Sequence, residues 1–478
     1  MTELQVQYKW VVLSNTTLGT LMSSLDTNIV LIALPTIGRD LHTSLFTLLW
    51  ILLGYQLVTA VLLVNFGRLS DMFGRVRLYN IGFAAFTFGS ALCSLSQTGI
   101  ELVAFRMVQA IGAAFLFSNS AALITDAFPK EERGKALGVN QVSIVAGSVT
   151  GLVLGGFLTS TLGWRSVFWV NVPIGAFATI WSHTRLKELG QIVRGQKLDV
   201  PGNLLFALGL ALVLSGITLY AIDELGLVGA SLLMLGGAIP LAAFVAIELR
   251  TRQPMFDLSL FRIRMFAAST LAVFLVALAR GAVSFVLVFY LQGPTMGLNP
   301  LSAGLFLVPI SGTLAIFGPI SGWLSDNYGR TLFTTLGLGI SAIGFLLLTH
   351  IGATVSFTEL LPGLVFIGCG QGLFASPNRA AQMSAVRPAE RGIAAGIGTT
   401  LLNVGTTVSL GVAFLVMSKS VPSNALASIF LGYPVSSNAP WIGAFVSSIR
   451  DVYLISTAFL IAATVPSLLR GERKALEY

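Results

Sequence analysis

Long apolar runs, each near the length of a bilayer crossing, alternate with short polar stretches along the whole 478-residue chain. A spanning helix needs about 20 apolar residues. On that rule the spans fall at about 10–34, 46–66, 79–97, 101–123, 136–160, 166–183, 201–221, 226–248, 266–291, 301–323, 332–351, 357–378, 393–417 and 450–469. Fourteen spans are therefore expected, in an all-α polytopic membrane protein. The first run exceeds the 7–15 apolar residues of a signal-peptide core and has no small-residue cleavage site, so it reads as a retained span. Two longer polar stretches remain: 184–200, and 418–449, which is rich in Ser, Pro, Asn and Gly and is expected to hold a hairpin or a mobile loop.

The polar loops repeat. Gly67-Arg-Leu-Ser-Asp71-Met-Phe-Gly74-Arg75 returns 255 residues later as Gly322-Trp-Leu-Ser-Asp326-Asn-Tyr-Gly329-Arg330. A second phrase, Pro129-Lys-Glu-Glu-Arg133-Gly, is echoed by Pro388-Ala-Glu-Arg391-Gly. Internal repeats between membrane-length segments are a mark of secondary transporters, which rock one half against the other. Six spans precede residue 185 and six follow 265; the two spans within 200–249 have no counterpart. The expected division is an N-terminal six-helix bundle (1–185), a linker with two additional helices (186–265) and a C-terminal six-helix bundle (266–478) with an extracellular loop at 418–449.

Charge orients the spans. Charged residues are only 10% of the chain, against about 25% in a soluble domain. Lipid rather than water must cover such a surface. On the side of the N-terminus 22 Lys and Arg residues collect, against 4 on the other side, with Arg106 and Arg280 inside spans. That asymmetry places both termini in the cytoplasm. The net charge of +8 is spread over loops, not gathered in a stripe, which excludes nucleic acid as partner. Cys93 and Cys369 sit apart in apolar runs, and His42, His183 and His350 are isolated. No metal or cofactor site is expected.

Within the spans the chemistry is sparse. Asp26 is the one carboxylate placed deep in a span, ~13 Å below the outer end of the first, and Arg106 lies ~8 Å into the fourth from the same side. An unpaired charge at mid-membrane costs at least ~2.5–3.5 kcal/mol, so the two are expected to meet, either as a proton site or as a static ion pair. Arg280 stands 254 residues after Asp26, within one residue of the repeat offset, and ~21 Å into the ninth span. Its expected role is in the substrate cavity, opposite an anionic group or Asp26. Asp71 and Asp326, each followed by Gly and Arg, read as inner-gate latches or as polar turns. Gly147, Gly151 and Gly155 share one helix face and, with Gly156, read as a sliding hinge or as close packing. Asp126, Glu248 and Arg379 near cytoplasmic span ends read as interfacial anchors.

These residues carry a family resemblance. Gly67-x-Leu-x-Asp71-x-x-Gly74-Arg75 resembles the loop signature of the major facilitator superfamily, and the fourteen-span plan resembles its drug:proton antiporter branch. Leu25-Asp26-Thr-Asn-Ile-Val30 leading to Ala33-Leu-Pro35, Arg106-Met-Val-Gln109-Ala-Ile-Gly112, Trp164-Arg165-x-x-Phe168-x-x-Asn171-x-Pro173-Ile-Gly175, and Gln292 with Gly297-Leu-Asn-Pro300-Leu-Ser-Ala-Gly304 are similar to further signatures of that branch. The chain departs from it at Leu152, where the branch has proline, and at Asn28 and Leu31. The resemblance implies alternating-access export of small amphipathic molecules in exchange for protons, with Asp26, Arg106, Gln109 and Arg280 at the coupling and substrate site. A prokaryotic plasma membrane is the expected location, with a small molecule, protons and lipid as partners; the oligomeric state is left open, a monomer being the first expectation. A dedicated single-substrate carrier of the same fold, for export or proton-coupled uptake and with an anion as one candidate substrate, is the alternative. A membrane enzyme or sensor would require a catalytic cluster in the spans or a large soluble domain, and the sequence offers neither. No phosphate-binding loop is present, so an ion gradient is the expected driving force.

Overall fold

A computed structural model describes the chain except residues 1–2, 130–131, 191, 193–197, 252, 388–389, 434–438 and 472–478, and the side chains of 3–7. Of the sequence readings, the cations Lys130, Arg194, Lys197, Arg252, Arg473 and Lys474, and Pro388 and Ala389 of the second repeated phrase, lie outside the described residues. The described chain is helical: α1 (Glu3–Asp40), α2 (Leu45–Phe73), α3 (Arg75–Leu95), α4 (Gly99–Ala127), α5 (Arg133–Leu162), α6 (Ser166–Trp169), α7 (Asn171–Arg185), α8 (Val200–Ala221), α9 (Leu227–Glu248), α10 (Arg264–Arg280), α11 (Val283–Gln292), α12 (Pro300–Tyr328), α13 (Arg330–Leu348), α14 (Phe357–Ser384), α15 (Arg391–Ser420), α16 (Ser423–Phe430) and α17 (Ile442–Leu469). A short 3₁₀ turn, Leu258–Arg262, precedes α10.

Thirteen helical segments among the described residues are long and apolar enough to cross a membrane, with α10 and α11 together forming one of them. The expected sixth span is the exception. It is broken at Val170 into α6 and α7, and α7 alone has 15 residues. The polar connections end helices by recognisable chemistry. Ser44 accepts a hydrogen bond from the Thr47 amide at the start of α2, and Thr98 accepts one from Glu101 at the start of α4. Ser356 and Glu359 form a reciprocal capping box on α14. Between α2 and α3 the chain turns at Gly74 with φ +101°, and between α12 and α13 at Gly329 with φ +95°. That region is costly for any residue bearing a Cβ. The two copies of the loop phrase thus make the same backbone turn.

Packing divides the chain into two compact units. The first comprises 1–207 with the short segments 251–255 and 299–304; the second comprises 208–250, 256–298 and 305–478. In the first, α1 lies against α5, where a Cβ on Gly147 or Gly151 would stand 2.6 Å from the Leu21 or Leu25 carbonyl, and one on Gly155 2.9 Å from Ile29 Cα. These three glycines let the two backbones touch, the small-residue packing of membrane helices. Gly156 faces elsewhere, toward the Pro300 carbonyl. Leu152 leaves α5 unbroken, and its own carbonyl receives Gly304 at close range. Behind α1, the rings of Tyr79, Phe83 and Phe86 on α3 form a buried core with Ala110, Ala113 and Leu116 of α4.

In the second unit α13 and α14 approach through Gly337 against Gly370 and Gly344 against Gly363, while α10 packs on α15 and α17. The stretch expected to be a hairpin or a loop contains α16. Its Phe430 is buried against Phe285, Phe289 and Phe414 at ring distances of 5.5, 4.3 and 4.7 Å. Residues 434–438 of that stretch lie outside the described residues.

Candidate functional site

The depth argument for Asp26 and Arg106 leads to a contact. In the first unit α1 carries Asp26 to the α4 face that bears Arg106, and Arg106 Nη1 donates to Asp26 Oδ2 at 2.5 Å. Both side chains are 0% exposed. Gln109, one helical turn after Arg106, joins them. Its Oε1 accepts from Arg106 Nη1 at 2.6 Å, and its Nε2 donates to Asp26 Oδ1 at 2.8 Å and to the Ser90 hydroxyl at 3.1 Å. The i, i+3 spacing puts both α4 residues on one face, and Gly112 lets that face approach α3.

Three partners were not evident in the sequence. Asn171, the first residue of α7, donates from Nδ2 to Asp26 Oδ1 at 3.0 Å. Asn171 is fully buried inside the bundle. Tyr55 on α2 lays its ring 4.0 Å from the Arg106 guanidinium carbon, a cation–π contact. Ser90 on α3 completes the set. Asn171 had been visible only as one letter of a motif, and Tyr55 and Ser90 carried no sequence signal at all.

The carboxylate of Asp26 thereby receives three N–H donors. Arg106 Nε leans toward the Ile51 carbonyl at 3.4 Å. Within the cluster, Arg106 Nη2 and Asn171 Oδ1 are among the atoms buried without a hydrogen bond among the described residues. A buried ion pair with good hydrogen bonds is tolerated, whereas either charge left alone costs about 3–5 kcal/mol.

A second cluster lies at the other end of the same unit. Arg75 Nε donates to Asp71 at 2.8 Å and Arg75 Nη1 to both oxygens of Asp126 at 2.7 Å. Asp126 is therefore an ion-pair partner and not the simple interfacial anchor its position suggested. The N-terminus of α3 is capped by Glu188, whose two oxygens accept from the Arg75 and Val76 amides at 3.1 and 2.9 Å. An anion at that position meets the positive end of the helix dipole. Arg68, beside Gly67, donates to the carbonyls of Gln253 and Pro254.

The second unit repeats the turn without the cluster. Asp326 is exposed and makes no hydrogen bond or ion pair among the described residues, while Arg330 donates to the Ser384 hydroxyl at 2.5 Å. Gly322 lies against Ser376 of α14. Trp323, at the position of Arg68, is 67% exposed. Arg280 closes α10 at a break in the ninth span, is exposed, and has no partner among the described residues. Arg379 on α14 is likewise exposed.

Comparison with known proteins agrees with this architecture. The sequence profile of the Major Facilitator Superfamily matches residues 16–410. The riboflavin transporter RibZ of Clostridioides difficile (strain 630) is 32% identical over 470 residues, covering 97% of this chain and all of that protein. The multidrug resistance protein Stp of Mycobacterium tuberculosis (strain CDC 1551 / Oshkosh) is 34% identical over 404 residues, 83% of this chain and 74% of that one. Among solved structures, an inward-facing, occupied bacterial homologue of the human lysosomal transporter Spinster superposes with a TM-score of 0.66 at 17% identity, covering 97% of both chains. With a profile match over most of its length, two such relatives and a multi-pass helical fold, the chain belongs to the Major Facilitator Superfamily and is an integral membrane transporter, not an enzyme.

Proposed function

We propose that this transporter exports small amphipathic molecules in exchange for protons, by alternating access, with Asp26 as the proton site. The observation that carries the reading is the sealed Asp26–Arg106–Gln109–Asn171 network. A proton on Asp26 Oδ2 occupies the place where Arg106 Nη1 now donates, so binding it expels the guanidinium. The new O–H then needs an acceptor. Gln109 Oε1, freed from Arg106, is one, and Asn171 Oδ1, idle in the present arrangement, becomes another when its amide turns over. One proton therefore rearranges side chains on α1, α4 and α7 together, which is how a titration event becomes a helix movement.

The remaining motifs have parts in the same cycle. Asp71, Gly74 and Arg75 hold the cytoplasmic end of α2 to α4 through Asp126, as a latch on the inner gate, and Gly322, Asp326, Gly329 and Arg330 supply the corresponding turn. The Gly147, Gly151 and Gly155 face gives α5 a surface on which α1 slides. Everted membrane vesicles test the reading: substrate addition should dissipate an imposed pH gradient, and Asp26→Asn should abolish the effect at unchanged protein level. Coupling of wild-type size in Asp26→Asn would place the proton elsewhere.

A dedicated carrier of one substrate is the second reading, favoured by the full-length match to a riboflavin transporter. The two part on breadth. An exporter of many compounds dissipates the gradient with several unrelated molecules, a dedicated carrier with one.

A further inference from the structure

We infer that Arg280 is a substrate anchor for an anionic group, and that the transporter selects molecules bearing a carboxylate or another oxyanion. The inference rests on the transporter reading and extends it to substrate class.

Arg280 lies about midway along the 29-residue span Arg264–Gln292, where a cation needs a reason to be. At 100° per residue it projects 180° from Leu271, which is 49% exposed. The face it shares carries Ser269 and Val276, both buried. This is the protein-packed side of α10, yet Arg280 itself is exposed. Its guanidinium is thus accessible on the side of α10 that packs on protein, where a substrate group can reach it.

Among the described residues nothing in the second unit neutralises it. α10 packs on α14, α15 and α17. The carboxylates of those helices among the described residues are Glu359, in the first turn of α14, and Asp451. Glu359 is committed to its capping box. Asp451 is exposed on the α17 face that also bears Leu454 and Ile461, 48% and 58% exposed, and it follows Arg450, which is tied to the Ile351 carbonyl at the end of α13. The contrast with Arg106 is direct: there Asp26, Gln109, the Ile51 carbonyl and the Tyr55 ring surround the guanidinium, and here no protein group does among the described residues. A guanidinium offers a planar fork of donors that fits a carboxylate or phosphate.

The test uses the full-length protein in detergent and needs neither a known substrate nor a proton gradient. Half-saturating concentrations are read from the ligand-induced rise in melting temperature, for 1-naphthoate and salicylate against 1-naphthamide and salicylamide. The wild type should favour each acid over its amide. Arg280→Gln should weaken the acids about 10- to 100-fold, the scale of one charge-assisted contact, and leave the amides unchanged, which also shows that the variant is folded. Arg280→Lys should restore part of the preference. An acid no better than its amide in the wild type, or a preference that survives Arg280→Gln, overturns the inference. Loss of proton coupling is measured separately on Asp26→Asn, so failure of either idea leaves the other standing.

Discussion

The two halves share a backbone turn but not an electrostatic plan. Gly74 and Gly329 turn with nearly equal φ, and the letters around them are nearly the same. Around the first, Arg75 binds two aspartates, Glu188 caps α3 and Arg68 reaches two carbonyls; around the second, Asp326 is unpartnered among the described residues and Trp323 faces outward. The same contrast holds in the membrane, where Arg106 is paired with Asp26 and Arg280 has no partner among the described residues. Duplication conserves what the backbone demands, because no other residue fits a left-handed turn cheaply. Charges are free to specialise: the first half pairs Asp71 with Arg75, while the second leaves Asp326 unpaired among the described residues.

The largest expected effect breaks the closed side. Arg106→Ala should destabilise the protein by about 3–5 kcal/mol, because Asp26 is left buried and alone. Arg280→Ala should change stability by no more than about 0.5 kcal/mol, having no partner to abandon. Thermal unfolding in detergent compares the two, and equal losses would erase the distinction.

Next in size is the glycine seam. Gly151→Ala pushes a methyl to 2.6 Å from the Leu25 carbonyl and should cost about 1–3 kcal/mol. Gly312→Ala, in α12 with open space around it, should be neutral or stabilise by up to about 1 kcal/mol through helix propensity. The same unfolding assay decides, and a tolerant Gly151 would mean that α1 and α5 are not in backbone contact.

A smaller pair sharpens what the repeat shares. Gly74→Ala and Gly329→Ala should each cost about 1 kcal/mol, alike within error, since both force a Cβ into a positive-φ turn. Unequal costs would show that the surrounding contacts, not the turn, set the price.

The smallest effect on stability concerns Asp71. Its side chain and that of Arg75 are 30% and 25% exposed, so Asp71→Asn should cost no more than about 1 kcal/mol. It should nevertheless move spin labels on the cytoplasmic ends of α2 and α15 apart, while Asp326→Asn leaves them in place. Equal responses would remove the latch from the first copy.

Much of this was legible beforehand. Apolar run lengths gave the spans, and counting residues from span ends brought Asp26 and Arg106 to similar depth. Tertiary contacts were not legible. Asn171 meets Asp26 across 145 residues of sequence, from a helix whose register against α1 no single-chain pattern reveals. Likewise the ninth span reads as one run and spans the membrane as one, but its close approach to the Thr406 carbonyl on α15 at Gly281 carries no sequence signal. Asp126 looked like an anchor because its partner is 51 residues away in sequence.

Glu188 has one more consequence. Its carboxylate is fastened to the start of α3, and the preceding residue, Lys187, is gripped through its backbone N–H and carbonyl by the Tyr8 hydroxyl. The connection from α7 to α8 is thus moored at its first residues, and its paid-out length runs only from 189 to 199. Eleven residues extend to about 36–40 Å at most. Whatever travel the cycle demands of α8 relative to α7 is bounded by that leash, and cutting the mooring at Glu188 would lengthen it without touching either helix.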